Sequence, residues 1–207
     1  MDENKKYDRK DAWKYYINEK MMKEVMKKCG IMFVLGLSLQ YIFSFILEIY
    51  FLFNSKMGAD YSAAMSGITG TKITLIMFIF IGILTPIMEE VAYRGLVLTI
   101  CNLFLPFFVG NIIQAAIFAY SHGNIVQCAY AFLLGLLIGG LIKITGSFFY
   151  GIFLHMGINI FGLYIDKYIP EGTPIWLKII YLFVSVFVGA ACLYFLYKMK
   201  KDKQAKA

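Results

Sequence analysis

Residues 73–105 read ITLIMFIFIGILTPIMEEVAYRGLVLTICNLFL, an apolar run interrupted by the ionisable side chains Glu89, Glu90 and Arg94. A run of this length and composition is typical of a chain embedded in a membrane. At mid-membrane each ionised side chain costs about 2.5–3.5 kcal/mol, so the three would together cost about 8–10 kcal/mol if they faced lipid. We therefore expect them to face protein or trapped water, where such groups carry out chemistry or transport.

The rest of the chain has the same apolar character. Its 207 residues are 60% hydrophobic and have a mean hydropathy of +0.68, which is too apolar for a soluble domain of this size. Seven apolar segments follow one another, at about 31–53, 72–88, 95–105, 107–121, 125–143, 147–165 and 175–198. We predict an all-α, polytopic transmembrane helix bundle with six to seven membrane segments, of which one is partial or re-entrant.

The net charge of +7 comes from lysines near the two ends of the chain. They are Lys20, Lys23, Lys27 and Lys28 before the first apolar segment, and Lys198, Lys200, Lys201, Lys203 and Lys206 after the last. This is the positive-inside pattern, and it predicts an integral membrane protein with both termini in the cytosol. Lipid headgroups explain such a basic rim, so we expect membrane lipid and no nucleic acid as a partner.

Two cytosolic ends require an even number of full crossings, which is why one of the seven segments is expected to be partial. The short pieces between Met88 and Tyr120, broken at Pro106, are the candidates. We divide the chain into a cytosolic or interfacial arm at 1–30, a transmembrane domain at 31–198 with a catalytic core at 72–165, and a basic cytosolic tail at 199–207. The first apolar segment lacks a cleavage site of small residues and is interpreted as an anchor.

Two further patterns concern packing. Gly135 and Gly139, with Gly140 beside them, form a GxxxG pattern, which favours close packing inside the bundle and leaves a homodimer as the alternative. The four cysteines, Cys29, Cys101, Cys128 and Cys192, have no metal-ligand spacing and are interpreted as small hydrophobic residues.

The acidic pair follows Thr85-Pro86, where a helix is expected to open and to favour negative charge at its N-terminus. Glu90 and Arg94 are four residues apart, so they share a helix face and can pair. Glu89 is rotated by about 100° from Glu90 and is left free of that pair. We therefore predict a structural role for Glu90 and a role as base for Glu89.

The only two histidines of the chain show the same spacing. His122 follows Phe118 by four residues, and His155 precedes Asn159 by four. A single histidine in a membrane helix is commonly a contact between helices, and a single Glu–Arg pair is commonly a structural clamp. The joint occurrence in three neighbouring segments favours an active site instead.

The patterns Glu89-Glu90-Val-Ala-Tyr-Arg94-Gly95, Phe118-x-x-x-His122 and His155-x-x-x-Asn159 resemble the three motifs, in order, of the CPBP family of intramembrane proteases. This family includes the CAAX prenyl endopeptidases and bacteriocin-processing or self-immunity proteins. The similarity covers about residues 72–165, and no motif position departs from the pattern. The resemblance implies an endopeptidase that cleaves a membrane-associated or lipidated peptide, which we expect near the cytosolic face.

In this hypothesis Glu89, partly desolvated, activates water together with His122. His155 and Asn159 donate hydrogen bonds to the oxyanion, and Arg94 holds Glu90. We expect no cofactor. The open alternative is a divalent metal such as zinc on Glu89, His122 and His155, although no His-Glu-x-x-His pair is present.

Two other functions stay open. A non-catalytic membrane protein, acting in bacteriocin immunity or as a scaffold, could keep the polar cluster for binding. An ion or proton carrier is less favoured, because the chain has no inverted repeat. Short loops and the absence of a soluble domain favour a bacterial plasma membrane as the location.

Overall fold

The computed structural model describes residues 19–69, 73–170 and 172–204. These residues form helices and no strand, which confirms the all-α prediction. The helices are α1 (Glu19–Phe53), α2 (Ser55–Thr69), α3 (Leu75–Phe104), α4 (Phe107–Tyr120), α5 (Ile125–Thr145), α6 (Phe148–Tyr168) and α7 (Ile175–Gln204). Most of the predicted N-terminal arm and the last three residues lie outside the described part of the chain.

Five of these helices are long and apolar enough to cross a membrane, namely α1, α3, α5, α6 and α7. Helix α4 is apolar but has only 14 residues. At about 1.5 Å per residue it spans about 21 Å, short of the roughly 30 Å of a bilayer's hydrocarbon core. The chain is thus a polytopic membrane helix bundle, and α4 is the one short apolar helix among the described residues.

Helix α3 joins two segments that the sequence analysis separated, 72–88 and 95–105. The prediction that a helix opens after Thr85-Pro86 is therefore wrong, and the acidic pair lies mid-helix. Two wider, π-helical stretches, Phe78–Leu84 and Glu90–Val97, flank the α-helical piece Thr85–Glu89. Proline normally breaks a helix because it lacks an N–H and its ring clashes with the preceding turn, and a widened turn accommodates it.

The predicted break at 54–71 is also largely wrong, because most of it forms helix α2. This helix folds back onto the last turns of α1. The rings of Phe51 and Tyr61 lie 5.5 Å apart, and the Tyr50 hydroxyl donates to the sulfur of Met57 over 3.4 Å. Helix α2 therefore lies at the end of the bundle where α1 finishes.

Helices α1 and α6 run parallel and touch backbone to backbone at two glycines. A Cβ on Gly36 would lie 2.1 Å from the carbonyl oxygen of Leu154, and one on Gly157 would lie 2.2 Å from that of Phe33. No other residue fits at such a distance, so the two glycines let the helix axes approach closely.

The GxxxG pattern of α5 packs against α4 within the bundle. A Cβ on Gly139 would lie 1.9 Å from Oδ1 of Asn111. The Asn111 side-chain amide donates to the carbonyl of Leu136 over 3.1 Å, and the Gln114 amide donates to that of Gly135 over 2.9 Å. The predicted internal use of the pattern is confirmed, and the homodimer stays a prediction.

The two ends of the bundle differ in charge. Helix α7 runs antiparallel to α1, since Tyr41 donates to the carbonyl of Lys178 while Cys29 and Cys192 share one core cluster. Both ends of the described chain therefore lie at one end of the bundle. We call this end the basic end, because it carries Lys23, Lys27, Lys28, Lys143, Lys198 and Lys201. The opposite end holds the C-terminus of α1, helix α2 and the N-terminus of α7.

Candidate active site

Glu89 and Glu90 are neighbours on α3 but face different surroundings. The Glu90 side chain is 0% exposed, and Arg94 Nη1 donates to its Oε1 over 2.8 Å. The Glu89 side chain is 24% exposed and lines a cavity. One full residue of helical rotation separates them, which directs one carboxylate into the protein and the other towards open space.

His155 on α6 connects the two carboxylates. Its Nδ1 lies 2.8 Å from Glu90 Oε1, and its Nε2 lies 3.5 Å from Glu89 Oε2. A carboxylate that is ion-paired with Arg94 accepts hydrogen bonds, so Nδ1 carries the proton and donates it. The ring of His155 is thereby oriented with Nε2 towards Glu89. The sequence analysis placed this ring at the oxyanion and did not foresee its contact with both acids.

Phe118 is the apolar centre of the site. Its fully buried ring lies under the Arg94 guanidinium, whose carbon is 4.4 Å from the ring centroid. The rings of His122 and His155 meet it edge to face, at centroid distances of 4.9 and 5.7 Å. A cation over an aromatic face is stabilised by about 2 kcal/mol when desolvated. Sequence reasoning used Phe118 only for its spacing, whereas it contacts three of the predicted site residues.

His122 lies in the turn that follows α4. Its Nδ1 is 2.9 Å from the carbonyl oxygen of Phe118. A carbonyl can only accept, so Nδ1 carries the proton, and in the neutral ring Nε2 keeps a lone pair. His122 also lines the cavity, which makes this lone pair an acceptor for water or substrate there.

Asn159 satisfies a backbone group that Pro86 leaves unpaired. In the π-helical turn the Thr85 N–H donates to the carbonyl of Phe80, five residues back. In the same register the next donor would belong to Pro86, which has no N–H, and its acceptor would be the carbonyl of Ile81. The side-chain amide of Asn159 donates to that carbonyl over 3.0 Å. One amide hydrogen is therefore occupied, and the second remains for another acceptor.

The cavity has a volume of about 910 Å³ and brings four of the six predicted residues together: Glu89, His122, His155 and Asn159. Glu90 and Arg94 lie behind this wall. Other walls come from α1 and α2, which carry no recognised motif. They contribute Gln40, Ser44, Glu48, Tyr61 and Ser62. The first three are polar residues at intervals of four in an apolar helix, a signal that the sequence analysis missed.

The donor set fits a metal poorly. In residues 19–69, 73–170 and 172–204, no group of three or more His, Cys, Asp or Glu side chains is arranged to hold one. The proposed reaction therefore uses no metal, and zinc on Glu89, His122 and His155 stays the open alternative.

Residues 71–161 match a family model described as "Rce1-like: Type II CAAX prenyl endopeptidase Rce1-like". The matched segment contains α3, α4, α5 and most of α6, and with them all six predicted site residues. The match confirms the family resemblance that the motifs indicated. Comparisons with curated proteins and with solved structures gave no match.

Proposed function

Because residues 71–161 match the Rce1-like model of type II CAAX prenyl endopeptidases, we propose that this protein is an intramembrane endopeptidase. Its substrate is a membrane-associated or lipidated peptide. The observation that carries the proposal is the convergence of a partly exposed Glu89, His122 and His155 on one cavity, beside a buried Glu90–Arg94 pair.

In the proposed reaction Glu89 is the general base. It takes a proton from a water molecule in the cavity, and the lone pair on Nε2 of His122 holds the same water in place. The hydroxide oxygen attacks the peptide carbonyl carbon, and the Glu89 carboxyl returns the proton to the leaving amine when the C–N bond breaks. A positioned base of this kind contributes about 100- to 10,000-fold in rate.

Asn159 acts on the carbonyl side. The free amide hydrogen of Asn159 donates to the developing oxyanion, a contact worth about 3–4 kcal/mol in other hydrolases. Glu90 holds His155 through Nδ1, so the ring faces the Glu89 carboxylate with Nε2. Glu90 and Arg94 are positioning residues, because neither lines the cavity.

The decisive experiment compares the wild type with Glu89→Gln and His122→Ala in purified protein and in cells. We expect each variant to insert normally and to lose about 100-fold or more in kcat. Asp60→Asn is the matched control, since Asp60 is an exposed acid on α2 outside the site. Mass spectrometry of membrane peptides from cells with wild type or Glu89→Ala identifies the substrate.

Full retention of the cellular function in both variants would contradict the proposal. It would favour the non-catalytic alternative, in which the polar cluster serves binding in an immunity or scaffold protein. Activity of a chelated, zinc-depleted sample tests the metal. We expect it to be unchanged, and a loss reversed only by zinc would reassign Glu89, His122 and His155 as ligands.

A further inference from the structure

We propose that substrate enters the site from the extracytoplasmic side of the membrane, so that the cleaved bond lies in the outward-facing part of a membrane-anchored or exported peptide. The substrate part of this statement rests on the proposed peptidase function. The direction in which the cavity opens is independent of that function, because it follows from charge and packing alone.

Charge is distributed unequally between the two ends of the bundle. Among side chains that the structure describes, the basic end carries the six lysines named above and one acid, Glu24. Among the same described side chains, the opposite end carries two lysines, Lys56 and Lys178, beside the acids Glu48 and Asp60. Lysine-rich loops stay in the cytosol during insertion, and acidic residues contribute little to orientation. The basic end is therefore cytosolic, and the opposite end faces outward.

The cavity lies in the half of the bundle nearer the opposite end. Its wall on α1 runs from Gln40 to Leu52, in the half of the helix nearer the opposite end. Its wall on α6 begins at His155 and continues past Ile165 to Pro170, beyond the end of that helix. Helix α2, which lies at the opposite end, adds Tyr61 and Ser62. The cavity thus reaches from the acidic pair to the outward-facing end.

A closed hydrophobic core lies on the other side of the site. Met32, Ile138, Tyr150 and Leu154 belong to one buried cluster that fills the space between His155 and the basic end. Ile138 and Leu154 are 0% exposed. Buried cores are close-packed and contain few voids larger than a water molecule. A peptide or water coming from the cytosol would have to pass through this core.

Helix α1 presents a row of polar side chains to the cavity. Gln40, Ser44 and Glu48 follow one another at one turn each and all line the cavity, and the Gln40 amide donates to the Ser44 hydroxyl over 3.4 Å. Glu48 is ion-paired with Lys178 at the outer end of this row. Such a row is costly against lipid and favourable beside water or a peptide backbone. The row gives water or a peptide a polar path from the outer end of the cavity to Asn159 and Glu89.

The expectation of cleavage near the cytosolic face is replaced by this arrangement. The first turns of α1 and the last turns of α7 stay at the cytosolic end, so both termini remain cytosolic. A substrate that fits has a hydrophobic anchor in the membrane and an extended segment reaching into the cavity from outside.

The test uses a matched pair of exposed lysines at opposite ends, Lys56→Cys and Lys201→Cys. Intact cells are treated with a membrane-impermeant maleimide, and wild type gives the background from its own cysteines. We expect labelling of Lys56→Cys in intact cells and labelling of Lys201→Cys only after permeabilisation. The reverse pattern, or equal labelling of both variants in intact cells, would overturn the proposal.

A third variant, Ser62→Cys, reports on the cavity wall itself. We expect the maleimide to label this cysteine in intact cells. Labelling that occurs only after permeabilisation would contradict the outward opening. Repeating the labelling in a Glu89→Gln background separates this inference from the peptidase function, because labelling needs no catalysis. A second arm uses palmitoylated, quenched peptides with a charged tail that cannot cross the membrane, added to one leaflet of oriented vesicles.

Cleavage only of peptides in the leaflet at the opposite end supports the inference, and cleavage only at the basic end overturns it. Outward labelling without cleavage in either leaflet would support the orientation while counting against the peptidase function. The two proposals therefore fail in different ways.

Discussion

The acidic pair shows how one residue of helical rotation separates two roles. Glu90 is fully buried and survives in an apolar interior because Arg94 and His155 both lie 2.8 Å from its Oε1. Glu89 is partly exposed and has only a longer contact to His155. A buried charge is tolerated when it is paired, and removal of one partner leaves the other uncompensated.

Glu90→Gln is therefore expected to destabilise the protein by about 3–5 kcal/mol, because Arg94 keeps a buried charge without its counter-ion. Glu89→Gln should change stability far less, since its partly exposed carboxylate is hydrated. Thermal unfolding in detergent, followed beside peptidase activity, measures both. Equal destabilisation by the two substitutions would show that the carboxylates are not divided into a structural and a reactive one.

At the scale of the element, α3 accommodates Pro86 through a widened turn and through a hydrogen bond that a side chain of α6 donates to its backbone. The donor is the Asn159 amide on the carbonyl of Ile81. A buried carbonyl without a partner costs about 1–3 kcal/mol, so this single contact fixes the register between α3 and α6 at the level of the site.

Asn159→Ala should therefore reduce the free energy of unfolding by about 1–3 kcal/mol, apart from any effect on catalysis. In a Pro86→Ala background the same substitution should cost less, because position 86 then offers a backbone N–H to the carbonyl of Ile81. A double-mutant cycle on unfolding midpoints measures this coupling. Strict additivity of the two substitutions would refute the account of the widened turn.

The seam between α4 and α5 is decided by single glycines. Gly139→Ala would drive a methyl group into Asn111 Oδ1, and we expect a loss of about 1–3 kcal/mol from this overpacking. Gly140→Ala is the matched control, because nothing lies within 4 Å of a Cβ there. It should be neutral or stabilising, since alanine is the better helix former. Chromatography of both variants follows the oligomeric state, and destabilisation by Gly140→Ala alone would place the contact face elsewhere.

At the scale of the whole molecule, the segment that matches the family model does not supply all the residues of the site. Residues 71–161 supply the acids, the histidines and the asparagine, while α1 and α2 close the cavity from outside that segment. The approach of α1 depends on Gly36 and Gly157, which let the helix backbones touch. Helix α1 is thus part of the site although it carries no motif.

Gly36→Ala should consequently lower stability and peptidase activity together, because its methyl group forces α1 away from Leu154 and widens the cavity. Gly30→Ala on the same helix is the control, as its Cβ would meet nothing within 4 Å. Unfolding midpoints and kcat/KM of both variants provide the comparison. Unchanged activity in Gly36→Ala would mean that α1 does not shape the site.

The sequence by itself determined the all-α membrane bundle, the resemblance to the family and the members of the polar cluster. Long apolar segments are favoured in lipid, whereas ionised side chains within them cost free energy there. Both are local properties of the chain, so they can be recognised without a structure. Helical spacing was likewise enough to pair Glu90 with Arg94 and to leave Glu89 free, because that geometry lies within one helix.

Only the tertiary structure decided what depends on contacts between helices. The continuity of α3 through Pro86 follows from a donor on Asn159, and the position of His155 between two glutamates follows from the packing of α6 against α3. The wall formed by α1 and the end at which the cavity opens also depend on contacts between helices. These features arise from residues far apart in the chain, and no local pattern fixes the distance or the direction between them.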